Sequence, residues 1–316
     1  MSEEFIKQKQ GVKQALSKLG KENKDIVVLS ADLSESCGTD GFAKEFPDRF
    51  IEVGVAEQNM AGVAAGLALS GKTPFMSSFG VFSPGRNWDQ IRISIAYSKT
   101  NVKILSSHAG ISVGDDGASH QALEDIALMR TLPNMVVLAP ADAAELEQAI
   151  YTAADFQGPV YIRYHRISLP QVTDPKIEFK IGKSQILKEG NDIGILACGS
   201  MVSKALEATK ELEKEHIKVT VLNCSSIKPL DHLAILEVAK KTKAIITCEE
   251  HQINGGLGGA VAEFLSQNYP VPTEIMGVHD TFGESGDTEE LFKKYKLSSK
   301  DIFNKAFQLY KTKIRK

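Results

Sequence analysis

Short apolar runs recur along the chain with helical stretches between them. The first half carries I-V-V-L-S-A-D near 26–32, V-K-I-L-S-S at 102–107, M-V-V-L-A-P at 135–140 and V-Y-I-R-Y at 160–164. They are continuous rather than alternating, the pattern of parallel strands covered on both faces. The segment from Asp142 to Asp155 shows the helical counterpart. Leu146, Ala149, Ile150 and Ala153 share one face, Asp142 is placed to cap the N-terminus, and Glu145 follows three residues later. A doubly wound α/β domain over residues 1–168 is therefore expected. Residues 169–185, L-P-Q-V-T-D-P-K-I-E-F-K-I-G-K-S-Q, hold two prolines and no helical period, and read as a linker. The pattern then restarts with D-I-G-I-L-A-C-G-S, a helix around 202–215, K-V-T-V-L-N-C-S-S, a helix after Asp231, A-I-I-T-C-E-E-H, a helix after Gly256, T-E-I-M-G-V-H-D and a last helix near 299–314. This predicts a second, smaller α/β domain over 186–316, with a mostly parallel sheet of about four or five strands.

Composition agrees with two domains and narrows the partners. At 316 residues, 42% hydrophobic, the chain exceeds the usual size of one hydrophobic core. Its 37 basic and 40 acidic residues are interspersed and leave a formal net charge of -3. That offers no basic field for nucleic acid and no polybasic patch for a membrane, so small anionic or neutral metabolites fit better. Cys37, Cys198, Cys224 and Cys248 form no C-x-x-C pair, which suggests neither a zinc site nor a disulfide framework. The charged N-terminus lacks an apolar core of signal-peptide length, and no stretch reaches the ~18 apolar residues of a membrane span. The expectation is a cytoplasmic protein, neither exported nor membrane-spanning.

Three stretches look chemical. In I-E-V-G-V-A-E-Q-N-M-A-G-V-A-A-G-L-A-L-S-G, residues 51–71, Glu57 opens a helix whose remaining face is small and apolar. An isolated glutamate there would read as a helix-dipole carboxylate worth about 0.3–1 kcal/mol. Its company changes that reading. S-S-F-G-V-F-S-P-G-R-N-W-D-Q-I-R, residues 77–92, sets Phe79 and Phe82 three apart, either as plain core or as a clamp for a flat heteroaromatic ring. In S-S-H-A-G-I-S-V-G-D-D-G-A-S-H-Q-A-L-E-D, residues 106–125, His108 and His120 bracket a glycine-rich loop with Asp115 and Asp116. That loop follows a strand, where open α/β sheets place ligand groups, and its spacing matches no H-x-x-x-H or EF-hand metal pattern. Histidines suit proton transfer and hydroxyl recognition. Arg163 and Arg166 could each grip a phosphate, with surface solvation the plainer reading for Arg163. N-G-G-L-G-G at 254–259 reads as close packing at a helix start.

Taken in order, these pieces resemble the transketolase family. The likeness lies in S-A-D-L at 30–33, G-V-A-E-Q-N-M at 54–60, S-S-F-G-V-F at 77–82, H-A-G-I-S-V-G-D-D-G-A-S-H-Q at 108–121 and L-P-N-M-V-V-L-A-P at 132–140. It continues through I-K-P-L-D at 227–231, C-E-E-H at 248–251 and F-G-E-S-G at 282–286. The resemblance implies a pyrimidine-binding domain followed by a transketolase C-terminal-type domain. It implies that Glu57 hydrogen-bonds the pyrimidine N1′ of thiamine diphosphate, favouring the imino tautomer that deprotonates the thiazolium. Phe79 and Phe82 would form the pyrimidine pocket and Asp32 would approach the thiazolium. His108, Asp116 and His120 match positions that contact sugar hydroxyls and the reacting carbon. Ser36 and Arg166 match a phosphate-end clamp, although S-E-S stands where the family more usually has A-P-S. Near Gly85 the family carries an aromatic residue, which leaves this pocket more open.

What the chain lacks also matters. The family's diphosphate and Mg2+ site, a G-D-G followed by an asparagine pair on a separate domain, has no counterpart here. Gly114-Asp115-Asp116-Gly117 is not followed by such a pair. No metal ligand is therefore expected in this chain. The resemblance implies a split transketolase whose N-terminal subunit supplies the diphosphate-binding domain, in an α2β2 assembly acting on sugar phosphates. Two enzyme alternatives are a 2-oxo acid dehydrogenase beta-type subunit and a deoxyxylulose-phosphate-synthase-like subunit. The histidine and aspartate spacing of the 108–121 loop argues against the first. His108, where the synthase resemblance places arginine, argues against the second. A catalytically dead regulatory subunit is disfavoured by the presence of Glu57, both histidines, Asp116 and Arg166.

Overall fold

Continuous apolar runs become strands here because a sheet with helices on both faces gives every strand side chain a dry neighbour. The structure, a computed structural model, describes residues 5–314. The first four residues of the charged N-terminus and the last two of the chain lie outside the described residues. The strands are β1 (Phe5–Lys7), β2 (Ile26–Ser30), β3 (Phe50–Glu52), β4 (Thr73–Phe79), β5 (Lys103–Ser107), β6 (Val136–Leu138) and β7 (Val160–Arg163). They continue as β8 (Ser168–Pro170), β9 (Gln185–Lys188), β10 (Ile193–Ala197), β11 (Val219–Asn223), β12 (Ser226–Lys228), β13 (Ile245–Gln252) and β14 (Thr273–Val278).

A seven-stranded sheet runs β12-β6-β7-β5-β4-β2-β3. Its six strands from β6 to β3 are parallel, and β12 adds on antiparallel to β6. A five-stranded sheet runs β14-β13-β10-β11-β9, parallel except for β9. The architecture is thus two α/β units with mostly parallel sheets. β12 comes from the second half of the chain yet extends the first sheet, so the halves share a sheet edge as well as a core. That shared core brings Ile126 and Met129 together with Leu257 and Val261. Residues 171–184 carry neither helix nor strand, between β8, which pairs with β1, and β9.

The helices follow their apolar stripes. Ala143–Asp155 packs beside Gln8–Glu22 on one face of the first sheet, with Asp142 Oδ1 accepting from Glu145 N at 2.9 Å as an N-cap. The two helices approach closely at Gly11, where an added Cβ would stand 2.4 Å from Ala143 O. On the opposite face Glu57–Leu69 buries Met60, Ala61 and Ala64 against Leu29 and Met76. In the second unit Leu257–Asn268 packs so closely on β14 that a Cβ on Gly258 would lie 2.4 Å from Ile275 Cγ2. Close packing at a helix start is thus what the 254–259 glycine run provides.

Candidate active site

The carboxyl ends of β2, β4 and β5 lie side by side, and the chain leaves them through Asp32, Phe79 and His108. Asp32 and His108 both adopt left-handed backbone, with φ of 62° and 56°. For residues other than glycine this costs energy and is kept where a side chain must point in one direction. The segment after β4 is drawn tightly inward. Ser106 Oγ donates to Ser83 O, and a Cβ on Gly80 would stand 2.7 Å from the Ala122 Cβ. Gly85 is equally constrained, because an added Cβ would meet Val81 O at 2.1 Å. An aromatic side chain at that position requires a different local backbone from the one this chain adopts.

Phe79 is the centre of the site. Its ring stacks on His108 at 3.7 Å and 22°, and on Phe82 at 6.0 Å and 19°. His120 meets both phenylalanines edge-on, at 6.1 and 5.5 Å, and its Nδ1 lies 2.9 Å from Ser119 Oγ. A cleft of about 430 Å3 opens beside Phe79 and His108, with Ser36, Asp116 and Arg166 also in its walls. Asp32 is exposed and does not line it; its backbone N–H donates to Glu52 Oε1 at 2.7 Å.

Glu57 connects to this cluster through Arg86. It is 1% exposed at the first turn of its helix. Asn87 Nδ2 donates to its carbonyl at 3.1 Å, and Arg86 Nη1 donates to Oε2 at 2.6 Å while its guanidinium lies over the Phe82 ring at 4.4 Å. Its Oε1 is buried and finds no hydrogen-bond partner among the described residues. An orphaned carboxylate oxygen in a dry setting is costly and marks a place where a donor is missing. A protonated ring nitrogen held against the stacked phenylalanines supplies one, so the pyrimidine end of thiamine diphosphate fits these residues.

Two cleft-wall residues escaped sequence reasoning, Lys7 and Lys9. They come from the start of the chain, where charge reads as solvated surface, and only the fold brings them to Arg166. Arg86 was also missed as a partner of Glu57, although it lies inside a stretch already marked for its aromatics.

Arg163 departs from the surface reading. It is 2% exposed, not on the surface: its Nε lies 3.3 Å from Asp125 Oδ2, and Nη2 donates to the Glu250 carbonyl at 3.0 Å. The buried charge is compensated, so it is structural. Of the two arginines, Arg166 alone faces the cleft, with Nη1 donating to Val113 O at 2.8 Å and lying 3.3 Å from Asp116 Oδ2.

Burial, with the nearby positive charge of Arg166, pushes the His108 pKa down to about 3. The ring is therefore neutral at ordinary pH and serves as a hydrogen-bonding group. The unfolded chain binds a proton near pH 6.5 and the folded chain does not, so stability present above about 6.5 is lost as pH falls toward about 3. Urea unfolding across that window is expected to show a shallower acid loss for His108→Gln than for the wild type. Parallel curves would place His108 in a wetter setting.

The chain is a two-domain α/β protein with a buried carboxylate, a stacked aromatic pair and a cationic cleft at its strand ends. Family models narrow this: residues 6–171 match the transketolase pyrimidine binding domain and residues 182–302 the transketolase C-terminal domain. The chain belongs to the transketolase family. A protein of Methanocaldococcus jannaschii, provisionally named a transketolase C-terminal section, is 46% identical over 304 residues, covering 95% of each chain. A 6-deoxy-6-sulfo-D-fructose transketolase subunit of a Clostridium species is 43% identical, covering 91% of this chain and 89% of its own. A solved split-gene transketolase, described as an inactive β4 tetramer, superposes with a TM-score of 0.91 at 50% identity, covering 97% and 99% of the two chains. This chain thus corresponds to the C-terminal section of a transketolase. No helix among the described residues is long and apolar enough to cross a membrane.

Proposed function

We propose that this chain is the C-terminal subunit of a split, thiamine diphosphate-dependent transketolase. It would transfer a two-carbon ketol unit from a ketose phosphate to an aldose phosphate. The observation that carries the reading is the pairing of two ends in one site. Glu57 offers a buried, unpartnered oxygen and is tied through Arg86 to Phe82, while Phe79, stacked on Phe82, lines a cleft with Arg166, Lys7 and Lys9. A flat cationic ring suits the first end and a phosphate the second.

When bound, thiamine diphosphate supplies the carbon nucleophile and electron sink needed to break a bond next to a ketose carbonyl. This chain's residues do the rest. Glu57 Oε1 would share a proton with the pyrimidine nitrogen, and Phe79 and Phe82 would present faces to the ring. Asp32, just beyond the carboxyl end of β2, would approach the thiazolium. Neutral His108 and Asp116 hydrogen-bond sugar hydroxyls, and His120, half-buried beside Phe79 and Phe82, takes and returns a substrate proton. Arg166, with Ser36 and the two lysines, grips the phosphate.

The diphosphate and Mg2+ ligands are assigned to an N-terminal subunit, with α2β2 as the assembly. Exposed apolar side chains support a partner close to the Glu57 helix. Val55 and Leu69 flank it, and Ile93 and Tyr97 lie on the adjacent 91–97 segment. The inactive β-only state of the split-gene relative suits the same reading. The test is calorimetric binding of thiamine diphosphate with Mg2+ to the chain alone and mixed with that subunit, followed by an assay with xylulose 5-phosphate and ribose 5-phosphate. Tight binding and ketol transfer are expected only in the mixture; tight binding by the isolated chain would overturn the half-enzyme reading.

A further inference from the structure

Strand β13 carries Glu249, Glu250 and His251, all buried, in the half of the chain that holds none of the residues assigned above. Glu249 is used locally: it accepts from Leu257 N and Gly258 N at 2.7 Å, at the start of the helix Leu257–Asn268. Glu250 faces the other half. Its Oε1 accepts from Ser112 N at 2.5 Å, and Oε2 accepts from Ser200 Oγ at 2.5 Å and lies 3.3 Å from His165 Nδ1.

His165 is neutral, because burial lowers its pKa. Its Nδ1–H donates to Ala109 O at 3.0 Å and its Nε2 accepts from Ser200 N at 3.2 Å. The contact with Glu250 is therefore polar rather than an ion pair. Gly110 completes the fit: with φ of +85°, it passes so close that a Cβ would stand 2.2 Å from Glu250 Oε1.

Ser112 lies midway between His108 and Asp116, and the second half of the chain holds this segment at further points. Thr288 Oγ1 donates to Ser112 O at 3.3 Å and Ser285 Oγ to Asp115 O at 2.6 Å. Gln121 Nε2 bridges Ile111 O and Glu284 O, at 3.2 and 2.9 Å. The segment in turn holds Arg166 through Val113 O. The phosphate-facing guanidinium thus hangs on backbone whose position is set from β13.

We propose that Glu250 is a positioning residue: by anchoring Ser112 and admitting only glycine at 110, it sets where Asp116 and Arg166 meet the sugar phosphate, without touching the cofactor. This gives the C-terminal domain a part in substrate recognition. The kinetic form of the proposal rests on the ketol-transfer reading; its structural form does not.

The test compares Glu250→Gln, which keeps an acceptor for the Ser112 N–H, with Glu250→Ala, which keeps none. In the complex with the diphosphate-binding subunit, the alanine variant is expected to raise KM for xylulose 5-phosphate about tenfold. The glutamine variant should restore most of that. In both, kcat and the affinity for thiamine diphosphate should stay within about threefold of wild type. On the chain itself, amide hydrogen exchange of residues 109–116 should quicken in the alanine variant while that of Ile193–Ala197 stays unchanged. Unchanged exchange in that segment, an unchanged KM, or an equal loss of cofactor affinity would overturn the proposal. If the wild-type complex transfers no ketol unit, the functional reading fails and the exchange result still decides this one. Should Glu250→Ala not fold, Ser285→Ala, an exposed change in the same clamp, must quicken exchange at 109–116; if it does not, the proposal falls.

Discussion

Glu57→Gln is expected to lower ketol transfer by the assembled complex by about 10²–10⁴-fold, the range for losing a positioned proton-sharing group. The variant should fold and assemble as the wild type does. Glutamine is isosteric and stays at the first turn of the same helix, where Asn87 still donates to the residue 57 carbonyl. The ion pair it gives up is cheap, because the Arg86 side chain is 43% exposed and keeps its solvation. What glutamine cannot do is share a proton with a ring nitrogen from the position of the unpartnered Oε1. Sedimentation would report the assembly and calorimetry the cofactor, while the sugar-phosphate assay reads turnover. Full turnover in an assembled variant would remove Glu57 from the chemistry and leave it as a helix-end carboxylate.

How far such roles can be read from sequence depends on where the determining partner lies. Asp142 as a cap is legible because its acceptor role is local, to Glu145 three residues on. The strands β2, β6 and β7 are legible because each holds at least three adjacent apolar residues buried on both faces, and β5 because Val102, Ile104 and Leu105 stand close together ahead of its two serines. β4 is not, although it lies at the middle of the first sheet and carries Phe79. Its run T-P-F-M-S-S-F opens beside a proline, which reads against a central strand, and breaks with two serines, of which Ser77 donates to Leu105 O at 3.1 Å. β3, β8 and β12 are three residues long, too short to show a period, and exist only because a neighbour is there to pair.

The same division runs through the site. Glu57, Phe79, Phe82, His108 and His120 stand in dense local motifs, and the fold brings the four rings together around Phe79. Lys7 and Lys9 carry no such signal, because charge near a terminus reads as surface until the fold brings it to Arg166. Arg163 reads as solvated from sequence alone because its compensating Asp125 is distant along the chain. Glu250 carries no local signal for its partner at all: C-E-E-H says that carboxylates are present, and only the packing of β13 on the 109–116 segment says which amide one of them holds.

His120→Ala separates the sugar from the cofactor. The variant is expected to lose about 10²-fold or more in turnover of the ketose phosphate, with thiamine diphosphate affinity within about threefold of wild type. The geometry explains the asymmetry. His120 meets Phe79 and Phe82 only through its edge, so its removal leaves their stack and the Glu57–Arg86 pair in place. His108 cannot make the same distinction: its ring lies flat on Phe79 at 3.7 Å, and truncating it would disturb pocket and cleft together. The decisive comparison is calorimetry beside steady-state kinetics on one preparation of the His120→Ala complex. A cofactor affinity that falls as far as turnover would mean that His120 helps shape the pyrimidine pocket, and proton transfer with the sugar would have to be assigned to another group.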